Sequence, residues 1–138
     1  MTWINICTFI IAICTIAYGG FEDYKKREIP DMVPVILLMT GLFGKGILLR
    51  ALSMLAVGAI LLLTSKLTRE EFPGGDFKLI CALTFNTCLI HTALIMVITG
   101  IGALLVSLIK KKPLKRNIPL CTYAAPAYML IRAADIIF

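Results

Sequence analysis

Charge is scarce in this sequence. Asp, Glu, Lys and Arg together make up 16% of 138 residues, eight of them acidic, and His91 is the single histidine. With 59% hydrophobic residues and a mean hydropathy of +0.93, the chain lies far above the roughly 45–50% apolar content of ordinary globular domains. That excludes a water-soluble domain. No pair of the five cysteines, Cys7, Cys14, Cys81, Cys88 and Cys121, has C-x-x-C spacing, so neither a zinc finger nor a disulfide framework is implied. They lie inside apolar runs and read as small core residues. A glycine-rich loop between a strand and a helix is also missing, so none is available to hold a methyl donor. No repeat, linker or low-complexity stretch divides residues 1–138, which read as one membrane-embedded domain. No basic residue precedes the first apolar run, which argues against a cleaved signal peptide even though Ala17-Tyr18-Gly19 resembles a cleavage site.

What the chain does have is apolar runs, near residues 3–19, 33–44, 47–65, 77–90, 92–109 and 118–138. A bilayer-crossing helix needs roughly 20 residues; several runs approach that, whereas the second and fourth are short. The expected fold class is all-α, a polytopic integral membrane protein with about six transmembrane helices. The net charge of +6 does not point to nucleic acid, because the basic residues fall in short clusters between the runs. They act instead as topology signals. With the N-terminus outside, Lys25, Lys26, Arg27, Lys66, Arg69, Lys78, Lys110, Lys111, Lys112, Lys115 and Arg116 all face the cytoplasm, and only Lys45, Arg50 and Arg132 fall elsewhere. Basic loops are retained on the cytoplasmic side, so the N-terminus is expected outside. The third cytoplasmic loop, "KKKPLKRNIP", reads as a solvated turn against lipid headgroups.

Six spans bring two distant aspartates to one membrane face. Asp23 follows the first span, two further spans return the chain to the cytoplasm, and Asp76 opens the fourth. Two carboxylates sharing a site repel each other and resist desolvation, so one holds a proton while the other stays ionised. The ionised group can take a proton from water as it attacks a peptide carbonyl, and the protonated group can polarise that carbonyl. Gly74 and Gly75, which carry no Cβ, suit a sharp active-site loop that approaches an extended substrate. Two plainer roles compete. Asp76 before "FKLICAL" can cap a helix, and Asp23 in "EDYKK" can be a solvated charge paired with lysine. A different class of function, a small transporter using the aspartates as an ion or proton relay, calls for carboxylates near mid-membrane rather than at span ends.

The segments "EDYKKREIPD" and "GGDFKL" resemble the two signature regions of the type IV prepilin peptidases, membrane aspartic proteases with a G-x-G-D motif. In that family an aspartate precedes a basic turn and an Ile-Pro-Asn or Ile-Pro-Asp step, matched here by Asp23 and Ile29-Pro30-Asp31. The motif aspartate and a lysine two positions later match Asp76 and Lys78. The stretch "NIPLCTYAAPAYML", residues 117–130, is similar to the family's proline-containing last span. Pro73 stands where the family usually has the first motif glycine. The resemblance implies catalytic Asp23 and Asp76, an active-site loop of Gly74, Gly75 and Lys78, and no metal or organic cofactor. It also implies cleavage of the short basic leader of prepilin-like substrates at the cytoplasmic face of a prokaryotic membrane. Glu22, Glu28, Asp31, Glu70 and Glu71 are candidate docking points for such a leader, or simply balance the nearby lysines. Larger members carry an N-terminal extension with a cysteine-pair zinc loop and an N-methylation activity. The first run here begins at about Trp3, so the resemblance implies the small form, which cleaves without methylating.

Among the remaining polar residues, His91 is expected near an external turn after Asn86, as a turn or interfacial residue remote from both aspartates. Arg132 and Asp135, three apart on the last helix, are spaced to pair with each other. Lys78 is placed either to act on Asp76 or to snorkel to headgroups.

Overall fold

The computed structural model describes residues 3–69, 74–110 and 120–137; Glu70, Glu71, Pro73 and the basic stretch from Lys111 to Pro119 lie outside the described residues. Among the described residues the chain is all-helical: α1 (Trp3–Lys26), α2 (Met32–Leu42), α3 (Ile47–Thr68), α4 (Gly74–Thr87), α5 (Leu89–Lys110) and α6 (Leu120–Ile137). Three stretches are long and apolar enough to cross a bilayer: Trp3–Lys26, Ile47–Thr68 and Leu89–Ile109. Their large apolar side chains point outward, among them Leu48, Leu52, Leu63, Leu104 and Leu108. Gly58 is the one buried residue of α3. A surface of this kind fits contact with lipid rather than water.

α4 is the interior helix. It packs against α2, α3, α5 and α6, while α1 closes the outside against α2 and α6. Every residue from Leu79 to Thr87 is buried, and a helix that is apolar on all sides belongs inside a bundle. At 1.5 Å per residue its 14 residues extend only about 21 Å, short of a hydrocarbon core of about 30 Å. Its neighbours screen it from lipid along its flanks, so α4 is not held to that length. The core it centres on joins Ala12 and Ile16 of α1, Val33 and Leu37 of α2, Leu79 and Leu83 of α4, Ile95 of α5, and Cys121, Ala124 and Tyr128 of α6.

Short connections make sequential helices antiparallel. The link from α4 to α5 is a single residue, Cys88, in the left-handed conformation with φ 85°. Its N–H donates to the Thr84 carbonyl at 2.9 Å, and its own carbonyl receives the Thr92 N–H at 3.1 Å. The chain therefore reverses just after Asn86, three residues before the break between the apolar runs, and His91 lies near that reversal in the first turn of α5. The cysteines divide. Cys81 and Cys121 are buried, but Cys7 and Cys14 are exposed, contrary to the expectation of five core residues. Both sit on the outer face of α1, away from the stripe Ala12, Thr15, Ile16, Gly19, Gly20 and Asp23 that the helix turns inward.

A side chain at Cys88 is strained, because a left-handed L-residue costs about 1–2 kcal/mol, partly offset by the greater freedom glycine has when unfolded. Cys88→Gly is expected to stabilise the detergent-solubilised protein by roughly 0.5–1 kcal/mol, and Cys88→Val to destabilise it. Chemical unfolding of both variants checks that order.

Candidate active site

The buried stripe of α1 has helical spacing, and Asp23 continues it one turn beyond Gly19 and Gly20. α1 runs through "GGFEDYKK" to Lys26, so Asp23 belongs to a helix rather than to the first loop as the sequence indicates. It is only 5% exposed, which rules out a solvated lysine-paired charge. α6 comes close here because Gly20 has no side chain: a Cβ on it would lie 3.2 Å from the Cys121 carbonyl oxygen and from Thr122 Cα. Thr122 Oγ1 donates to the Gly20 carbonyl at 2.7 Å. The Cys121 N–H, in the first turn of α6, donates to Asp23 Oδ2 at 2.9 Å, with the Thr122 N–H beside it. A carboxylate at a helix N-terminus satisfies free N–H donors and complements the positive end of the helix dipole. Asp23 therefore caps α6 from across the bundle.

Asp76 is partly buried in the first turn of α4, ahead of the apolar run. The Asp23 carboxylate lies within electrostatic reach of it. The two aspartates are thus electrostatic neighbours at one end of the bundle, and the Cys121 thiol lies in the field of both. Among the described residues no hydrogen bond reaches the Asp76 carboxylate, whereas Asp23 receives the donors of α6. Donors favour the charged form, so when the pair holds one proton it resides on Asp76.

Gly74 and Gly75 differ from expectation in form. They open α4 as helical residues rather than forming a loop, because the enclosed turns from Leu79 onward fix the helix that they begin and outweigh glycine's weak helix propensity. A Cβ on Gly74 would meet nothing within 4 Å, and one on Gly75 would make only ordinary contact with Ile29 at 3.5 Å. Lys78 Nζ reaches Asp31 Oδ1 at 2.8 Å, tying α4 to the start of α2 rather than pairing with Asp76. Of the acidic docking candidates, Glu22 is paired with Lys26 at 3.0 Å, Asp31 is held by Lys78, and Glu28 is exposed. Glu70 and Glu71 fall outside the described residues.

Sequence reasoning missed Gly20, Cys121 and Thr122, the residues that hold Asp23. The signal was present in two places: paired glycines one turn before an aspartate, and a helix start in "NIPLCTYAAPAYML". Only tertiary contact links them. Comparison of the chain with protein-family models, curated proteins and solved structures finds no match.

Proposed function

We propose that this protein is a membrane aspartic endopeptidase of the type IV prepilin peptidase kind, removing the basic leader of a prepilin-like substrate. The observation that carries this reading is the convergence of Asp23 and Asp76 beside the N-terminus of α6. In this reading all six helices span the membrane, α2 and α4 included, and the N-terminus is outside. The aspartates then lie at the cytoplasmic edge of the plasma membrane. The end of α1, the end of α3 and the start of α4 carry Lys25, Lys26, Arg27, Lys66, Arg69 and Lys78, as retention of basic residues on that side requires.

The chemistry follows from the asymmetry of the pair. Asp23, held ionised by the α6 donors, takes a proton from water as it attacks the scissile carbonyl. Asp76, holding the shared proton, donates a hydrogen bond to the carbonyl oxygen and later protonates the leaving nitrogen. The open space above Gly74 leaves room for an extended peptide against the start of α4.

Co-expression with prepilin-like substrates tests the proposal through the size of the product. Asp23→Asn and Asp76→Asn should each nearly abolish cleavage, and the double variant should lose little more, since residues acting as a unit are not additive. Asn at position 23 still offers an oxygen to the α6 donors, so membrane insertion should survive. Substantial cleavage by correctly inserted Asp23→Asn would remove that residue from the mechanism. The glycines give a separate check. Alanine at Gly74 should keep or raise stability, because helix propensity improves by up to about 1 kcal/mol, yet it should slow cleavage by filling the substrate's space. Unchanged cleavage would mean that the substrate lies elsewhere.

A further inference from the structure

The three basic residues that the topology leaves on the outer side, Lys45, Arg50 and Arg132, line one cavity. It holds about 260 Å³ at the end of the bundle away from the aspartates, between the starts of α1 and α3 and the ends of α2, α4 and α6. Asp135 is the one acidic residue in its wall among the described residues. That carboxylate is already engaged, at 3.1 Å by His91 Nε2 and at 3.6 Å by Arg132 Nη1.

The arginines are held in place rather than left to sweep. Arg50 Nη1 donates to the Asn86 carbonyl at 2.8 Å. Asn86 is itself fixed by Thr40 Oγ1 at 2.8 Å and by the Tyr128 hydroxyl at 2.9 Å. The Arg132 guanidinium lies 6.0 Å from the centre of the Phe9 ring. Its Nε is buried and has no hydrogen-bond partner among the described residues. A buried donor without a partner is costly, and a charged one more so. Lys45 is exposed at the mouth. Three cations against one shared carboxylate leave the cavity positive, with donors aimed from more than one side.

We infer that this cavity is a binding site for a phosphate group, carried either by an anionic lipid headgroup or by a free phosphate. Phosphate fits better than a carboxylate because its several oxygens can accept the planar forks of two arginines together while the lysine adds a point charge. The site lies at the starts of α1 and α3, two of the long apolar helices, the level at which headgroups meet a protein that crosses a bilayer. The inference is independent of the peptidase reading, since it uses neither aspartate of the pair.

The test measures melting temperature in nanodiscs of phosphatidylcholine. One arm adds inorganic phosphate against chloride of matched ionic strength; the other replaces part of the lipid with phosphatidylglycerol and adds no phosphate. The wild type should be stabilised in at least one arm, and the shift should be lost in Arg132→Gln and reduced in Lys45→Gln. A shift with phosphate identifies the free anion as ligand, and a shift with phosphatidylglycerol alone identifies the headgroup. Should Arg132→Gln fail to fold, Lys45→Gln decides, because its exposed side chain supports no core contact. Gly44→Ala adds a variant that keeps every charge: a methyl group there takes the place of the Arg50 guanidinium, so the shift should shrink. No shift in either arm, or equal shifts in wild type and variants, overturns the site.

Discussion

Enclosure of α4 on every side is the constraint from which the rest of this structure follows. A helix with no free face cannot carry a charged or amide group along its middle without a partner, so its polar chemistry is confined to its ends. At one end stands Asp76, at the other Asn86. The surrounding helices then divide their polar residues the same way: Asp23 and the first turn of α6 gather round the start of α4, while Thr40, Arg50 and Tyr128 gather round its finish. The apolar middle is shared by all six helices except α3, which contributes little more than the flat surface at Gly58.

Asp23 carries two duties that pull in the same direction. As the cap of α6 it needs a negative charge, and as the proposed base it needs that same charge. The bond from the Cys121 N–H therefore serves fold and chemistry together. Asp76 lies in the field of Asp23 but receives no such donor among the described residues. The difference between two like side chains therefore lies in the backbone donors that only one of them reaches.

The two ends also differ in how they treat cations. Near the aspartates, Lys26 and Lys78 are exposed and answer Glu22 and Asp31 at the surface, pairs that contribute little to stability. At the far end Arg50 and Arg132 turn inward over a cavity, and the one carboxylate beside them is shared with His91. The basic residues at one end thus stand at the surface, and those at the other line a cavity.

The sequence by itself determined the helical class, the number of helices among the described residues and the presence of two aspartates at helix edges, because hydropathy and breaks such as Pro30 are local properties. It located the start of α2 and α3 to within a residue or so. Its errors are also local in origin: Gly19 and Gly20 look like the beginning of a loop, and Gly74 and Gly75 look like a turn, since glycine is a poor helix former in isolation. Packing reversed both readings, as Gly20 admits the backbone of α6 and α4 is enclosed from its second turn onward. Whether Asp23 is a solvated charge or a buried cap, and whether Lys78 answers Asp76 or Asp31, depended on which helices touch. Only the tertiary structure decided those points, because no periodicity within one segment encodes the partner that a distant segment will present.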